Sequence, residues 1–210
     1  MEVAGDYYDF FVFSPDRLGI VVADVSGKGL DAGMVMSMTK STLTPLLCQN
    51  LTPGQLVSQL NSFLCQQLHQ QKFVSFIYAE YTSENRTFTW GGGGHEHILI
   101  HRKNRPDPTV EVIKTGGVVL GMFDDIGAMI PEASVILDSG DRVVLYSDGA
   151  LEARNPDNEM FTLQRMLKAI EESSATSTQE FIEYIRDQIK TFIASAPQYD
   201  DITLVVLEQK

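Results

Sequence analysis

Aspartate recurs at the ends of apolar, strand-like runs in four places along this 210-residue sequence. Gly5-Asp6-Tyr7-Tyr8-Asp9 opens one run, and Val21-Val22-Ala23-Asp24 closes the next, just ahead of Ser26-Gly27. Val143-Val144-Leu145-Tyr146-Ser147-Asp148-Gly149 closes a third, and Tyr199-Asp200-Asp201-Ile202-Thr203 opens the last. A single aspartate of this kind is ordinarily a turn or cap residue. The repetition, each time with glycine or a second aspartate nearby, is more than turn chemistry explains. Carboxylates gathered at strand ends repel one another unless cations lie between them. Hard oxygen ligands without clustered histidine or cysteine suit Mg²⁺ or Mn²⁺ better than zinc. Two such ions about 3.5–4 Å apart can hold a water between them and bring its pKa toward neutrality. The resulting hydroxide attacks without help from a serine or cysteine, and in-line hydrolysis of a phosphoester is the chemistry favoured.

Other residues that could carry chemistry have simpler readings. His95 and His97 alternate along what reads as a strand, but two histidines with no third ligand are structural rather than a zinc site. Ser26-Gly27-Lys28-Gly29 lacks the spacing of a phosphate-binding loop, which leaves Lys28 as a solvated cation able to attract a phosphoprotein. Met34, Met36 and Met38 lie on an apolar helix and read as core. Cys48 and Cys65 read as two buried free thiols, with no redox or zinc spacing.

The elements that must position the aspartates follow from pattern and punctuation. Phe10–Phe13 and Leu18–Val25 read as strands joined by the turn Ser14-Pro15-Asp16-Arg17. Asp31 reads as the cap of a helix that runs to about Leu47, and a second helix starts after Thr52-Pro53, with Leu56, Leu60, Phe63, Leu64 and Leu68 at helical spacing. Further strands are expected at Phe73–Tyr81, Thr87–Trp90, Ile98–His101, Val110–Ile113, Ala133–Leu137 and Arg142–Tyr146. Hairpin turns are expected at Ser83–Arg86 and Ser139-Gly140. Helices at Leu163–Glu172 and Gln179–Ala194 precede a last strand, Ile202–Leu207. Strands that follow one another without intervening helices imply antiparallel sheets. Two helix pairs remain to cover them, so the expected fold is a layered α/β (α+β) sandwich, helix–sheet–sheet–helix, forming one domain over residues 1–210.

With 28 acidic against 16 basic residues the formal charge is −12. This excludes the basic surface that nucleic acid or an anionic membrane would require. No apolar run approaches the roughly 20 residues needed to span a bilayer, and no signal peptide is visible, so a soluble cytoplasmic chain is expected.

Taken in order, Gly5-Asp6-Tyr7-Tyr8-Asp9-Phe10, Ala23-Asp24-Val25-Ser26-Gly27-Lys28-Gly29, Tyr146-Ser147-Asp148-Gly149 with Glu152-Ala153, and Asp200-Asp201-Ile202-Thr203 resemble the PPM (type 2C) protein phosphatases, in particular their bacterial SpoIIE/RsbU branch. Gly93-Gly94-His95, Gly116-Gly117 with Leu120-Gly121, and Ser139-Gly140-Asp141 extend the resemblance over essentially the whole chain. It implies a β-sandwich flanked by helices with two divalent cations, Mn²⁺ or Mg²⁺. In it Asp24 bridges both ions and the Val25 carbonyl completes one sphere, while Asp6 serves one ion and Asp148 and Asp200 the other. Asp24 and Asp148 would then be catalytic through metal-activated water. Asp201 is the lesser ligand of its pair, Asp9 acts through water or braces the turn, and Gly27, Gly29 and Gly149 let the backbone pass near the metals. The substrate implied is phosphoserine or phosphothreonine on a regulatory partner of the anti-sigma-factor antagonist kind, as in bacterial stress signalling. An upstream sensor or regulatory domain is also implied, and a homodimer stays open.

The sequence departs from the family pattern in starting almost at its first aspartate, so the domain is expected to lack N-terminal β structure and to expose an edge of its first sheet. The Gly91–Gly94 run, Phe161-Thr162 in place of the common Phe-Gly, and the lack of a phosphate-clamping arginine near the first motif are further departures. Two other readings stand beside the phosphatase: a catalytically weak or inactive regulatory binding module of the same fold, and a hydrolase of small phosphoesters.

Overall fold

Two runs of aromatic and aliphatic residues, separated by the turn Ser14-Pro15-Asp16-Arg17, fold the start of the chain into a hairpin. Strand β1 (Asp6–Ser14) pairs antiparallel with β2 (Arg17–Val25). The computed structural model describes residues 5–68, 72–105 and 109–210. The chain divides into two compact units, Met1–Glu96 with Lys114–Leu137, and His97–Ile113 with Asp138–Lys210.

The first unit is an antiparallel sheet with a helix pair on one face. Helices α1 (Leu30–Leu47) and α2 (Pro53–Leu68) come after β2, followed by β3 (Val74–Thr82) and β4 (Thr87–Gly93). Strands β5 (Ile98–His101) and β6 (Val110–Ile113) belong to the second unit, and β7 (Glu132–Ile136) returns to the first, giving a sheet of order β1-β2-β3-β4-β7. Its core joins Val21, Ala23 and Val25 of β2 with Phe76 and Tyr78 of β3, Val35 and Leu43 of α1, and Leu56, Leu60 and Leu64 of α2. The leucines of α2 recur every fourth residue, so they form one stripe facing the sheet. Each is almost fully removed from water, a stabilisation of roughly 1.5–3 kcal/mol per side chain.

The second unit repeats this plan with a sheet of order β6-β5-β8-β9, where β8 is Arg142–Tyr146 and β9 is Leu204–Glu208. The short α3 (Gly149–Glu152) follows β8, then α4 (Thr162–Glu172) and α5 (Thr178–Ile193). Leu99, Val144 and Tyr146 of the sheet meet Met166 and Ile170 of α4 and Phe181, Ile185 and Ile189 of α5. A capping box starts α5: the Ser177 hydroxyl accepts from the Glu180 N–H while the Glu180 carboxylate accepts from the Ser177 N–H, which stabilises the helix by about 1 kcal/mol. The antiparallel sheets and covering helices are those the order of elements implies.

Several details differ from the sequence reading. Ser139-Gly140 does not close a hairpin, because β7 pairs with β4 whereas β8 lies between β5 and β9. The turn is nonetheless a firm corner. Buried Asp141 accepts from the Asp138 N–H at 2.9 Å, the Lys103 N–H at 3.2 Å and Arg102 Nη1 at 2.8 Å. The cap of α1 is Gly29, and Asp31 lies in the first turn, where its charge opposes the positive end of the helix dipole. Met34 is exposed, while Met36 and Met38 pack against the core. Both cysteines are free, but Cys48 is exposed and Cys65 half-buried, not core thiols. His95 and His97 lie in the segment between β4 and β5 and not along a strand.

Candidate metal centre

In the first unit the hairpin register sets Asp6 directly opposite Asp24. Both are half-buried, and Asp24 lies between buried Ala23 and Val25. Like charges at directly opposed strand positions are destabilising, and a divalent cation held between two such carboxylates relieves that repulsion. Backbone oxygens gather beside the pair. The Val25 N–H donates to the Gly5 carbonyl at 3.3 Å. A Cβ at Gly5 would stand 2.9 Å from the Val25 carbonyl oxygen, 3.0 Å from Asp24 Oδ1 and 3.4 Å from the Gly27 carbonyl oxygen. A carboxylate and two carbonyl oxygens thus crowd the space that any side chain at position 5 would fill. This all-oxygen set suits Mg²⁺ or Mn²⁺.

The loop after β2 is tied down from the start of β3. The Ser26 N–H donates to the Phe73 carbonyl at 2.9 Å and the Phe73 N–H donates to Ser26 Oγ at 3.0 Å. Lys72 Nζ donates to the Ser26 carbonyl at 3.1 Å. Gly27, at φ 86°, passes so close that a Cβ there would meet the Lys72 ammonium 2.5 Å away. Sequence reasoning named exposed Lys28 as the cation of this region and missed Lys72. No motif marks Lys72; the pairing of Val25 with Val74 brings it there.

Asp9 is engaged elsewhere. Its Oδ2 accepts from Tyr7 Oη at 2.9 Å and pairs with Lys40 Nζ of α1 at 2.9 Å, while Oδ1 accepts from the Phe10 N–H. Partial burial works against its ionised form, yet these donors, Lys40 foremost, hold its carboxyl below the usual aspartate range. These contacts make Asp9 a brace between β1 and α1.

In the second unit the ends of β8 and β9 are tied both ways. The Ser147 N–H donates to the Thr203 carbonyl at 3.1 Å, and the Thr203 N–H donates to Ser147 Oγ at 3.0 Å. This tie sets Asp148-Gly149 beside Asp200-Asp201. A Cβ at Gly149 would run into the Asp201 carbonyl and stand 3.3 Å from Asp200 Cβ, so only glycine permits the approach. Asp200 Oδ1 accepts from the Asp201 N–H at 2.9 Å, and the Asp200 carbonyl accepts from Gln198 Nε2 at 2.7 Å. Asp200 is exposed and Asp148 half-buried. A cleft of about 220 Å³ opens here, lined by Gly149, Glu152, Arg154, Tyr199 and Asp200 among others.

Asp6, Asp24 and Val25 are therefore neighbours in one unit, and Asp148, Gly149, Asp200 and Asp201 in the other. Among the described residues no three or more His, Cys, Asp or Glu side chains are grouped as a ready-made metal site. The fit to cations rests on the carboxylates together with the backbone oxygens. His95 is tied into the fold: Ser75 Oγ lies 3.1 Å from its Nδ1, and Thr115 Oγ1 donates to its carbonyl at 2.6 Å. None of the described helices is long and apolar enough to cross a membrane.

Comparison with known proteins bears on the family and the fold. Residues 14–210 match the family model described as Stage II sporulation protein E (SpoIIE). The chain is 32% identical over 209 residues to the phosphoserine phosphatase RsbU of Bacillus subtilis (strain 168), covering all of this chain and 60% of RsbU. The fold matches the SiaA-PP2C domain of Pseudomonas aeruginosa with a TM-score of 0.85 at 17% identity, over 99% of this chain and 82% of that one. It matches the PP2C phosphatase domain and regulatory fragment of SpoIIE from Bacillus subtilis with a TM-score of 0.83 at 18% identity, over 98% of this chain and 58% of that one. The chain belongs to the SpoIIE family, within the RsbU-like branch of the PPM (type 2C) phosphatases.

Proposed function

We propose that this chain is a metal-dependent protein serine/threonine phosphatase acting on a phosphorylated regulatory protein of the anti-sigma-factor antagonist kind. The observation that carries the reading is the opposition of Asp6 and Asp24 across β1 and β2, with the Val25 carbonyl and Asp24 Oδ1 crowding the space beside Gly5. In this reading Asp6, Asp24 and the Val25 carbonyl hold divalent cations, and Asp148 and Asp200 complete the ligand set. Mn²⁺ or Mg²⁺, when bound, acidifies water and neutralises charge on a phosphoryl group.

The protein's own groups have distinct tasks. Gly5, lacking a side chain, allows the Asp24 carboxylate and the Val25 carbonyl to approach its backbone, and Lys72 fixes the loop that follows Val25 by donating to the Ser26 carbonyl. The Asp201 N–H orients the Asp200 carboxylate, and Gly149 lets Asp148 lie close to it. The name of RsbU, a phosphoserine phosphatase, supports the substrate class. The same reading includes control by a regulatory segment of a longer protein, since the chain spans 60% of the length of RsbU.

The test is phosphate release from a phosphoserine protein with Mn²⁺ or Mg²⁺, comparing the native chain with Asp24→Ala and Asp148→Ala. Release should require the cation and fall about a hundredfold or more in either variant. Undiminished release in EDTA would refute the proposal.

A further inference from the structure

Helix α5 carries an apolar stripe that its own core does not consume. Ile182, Ile189 and Ile193 of α5, with Leu204 of β9, line a groove of about 320 Å³ in the second unit. Ile189 is buried at its floor, whereas Ile182, Ile193 and Leu204 keep part of their surface in water. Arg186 and Lys190 stand exposed on the rim, one helical turn apart. Arg186 donates to Asp187 Oδ1 at 3.0 Å through Nη2 and 3.1 Å through Nε, an exposed contact that a stronger acceptor can replace. Lys190 in the last turn suits the helix dipole. The dipole does not explain a second cation four residues earlier, where like charges cost helix stability, or the apolar trough between them. In a chain of formal charge −12, this paired basic rim stands out.

The groove continues into the cleft beside Asp200. Ile193, Gln198 and Ile202 line both, and the cleft also contains Gly149 and Asp200. We infer that the α5 groove docks the substrate phosphoprotein: it takes an aliphatic side chain flanked by carboxylates while the phosphorylated residue lies at the Asp200 end. This rests on the phosphatase reading and adds to it a site that selects among phosphoproteins. Apolar contact in the trough supplies adhesion, and the cations on the rim supply orientation and discrimination. An acidic partner would otherwise be repelled by the strongly negative chain.

The test uses phosphoserine peptides with Mn²⁺. One peptide carries a leucine and two aspartates on each side of the phosphoserine, a second replaces those aspartates with lysines, and p-nitrophenyl phosphate is run in parallel. Arg186→Glu with Lys190→Glu should raise KM for the acidic peptide roughly threefold to tenfold, leave its kcat unchanged and abolish the preference over the basic peptide. Ile182→Ser should raise KM for both peptides. Turnover of p-nitrophenyl phosphate should be unaffected by either change, since none of these residues belongs to the metal centre. Unchanged peptide KM in the variants, with normal p-nitrophenyl phosphate turnover, would overturn the docking site and leave the phosphatase standing. Absence of Mn²⁺-dependent hydrolysis of any substrate by the native chain would overturn both. If the charge reversal instead dissociates a dimer in sedimentation velocity without altering peptide KM, the groove is a self-association face and the docking proposal fails.

Discussion

Asp6 and Asp24 are cross-strand partners in the β1–β2 hairpin, two carboxylates set opposite each other on neighbouring strands. If the proposed cation binds here, stability and metal affinity are coupled through this pair. Asp6→Asn removes one charge, and in EDTA it should raise stability by roughly 0.2–1 kcal/mol. The same change should remove most of the Tm increase that Mn²⁺ produces in the native chain. Thermal melts with EDTA and with Mn²⁺ measure both. A variant that is less stable in EDTA yet still fully stabilised by Mn²⁺ would show that Asp6 is an ordinary strand residue.

Gly149 lies against the Asp201 carbonyl with no room for a Cβ. Gly149→Ala must push the β8 and β9 ends apart, at a cost of about 1–3 kcal/mol. Urea unfolding should show this loss, and Mn²⁺-dependent turnover should fall with it. Unchanged values of both would mean that the approach of Asp148-Gly149 to Asp200-Asp201 is not needed.

His101, at the end of β5, stacks on Phe181 with centroids 6.0 Å apart and the rings 8° from parallel. Burial, joined by the nearby Arg142 guanidinium, holds its imidazole below the usual histidine range, while Asp141 and Glu171 oppose the shift. The unfolded chain therefore takes up the proton from about pH 6.5 downward, and the folded chain only at lower pH. The stability contributed by neutral His101 is complete above about pH 6.5 and is lost as the pH falls below it toward the folded value. Urea midpoints should drop between pH 7.5 and 5.5, and His101→Gln, which cannot titrate, should drop less. An equal drop in the two proteins would assign the acid sensitivity to other groups.

Thr162 begins α4 with φ 68°, a left-handed conformation that a β-branched residue adopts only under strain. Thr162→Gly should add about 1 kcal/mol of stability without altering turnover, read from the urea midpoint. A lower midpoint would mean that the threonine side chain makes contacts worth more than the strain.

Most elements were legible because their signals are local. The apolar runs of β1 and β2, the Leu stripe of α2 and the turn at Ser83–Arg86 each depend on residues within a few positions; all are present, although β1 extends beyond the expected Phe10–Phe13 to Asp6–Ser14. The turn at Ser139-Gly140 was also read correctly as a turn, but turn chemistry does not say which strands pair. In the folded chain β8 pairs with β5 and β9. The last strand begins at Leu204 rather than Ile202 because Ser147 and Thr203 first tie the two strand ends together.

Within the candidate site, the sequence by itself determined which residues have the chemistry: the aspartates, set off by apolar runs and glycines, with no clustered histidine or cysteine beside them. Tertiary structure alone decided their use. Register opposed Asp6 to Asp24, Lys40 and Tyr7 engaged Asp9, and the pairing of β2 with β3 brought Lys72 to Ser26. The physical reason is range. Carboxylate chemistry and turn preference are properties of a few adjacent residues, whereas charge opposition and hydrogen bonding act over a few ångströms between groups that only the folded backbone makes neighbours.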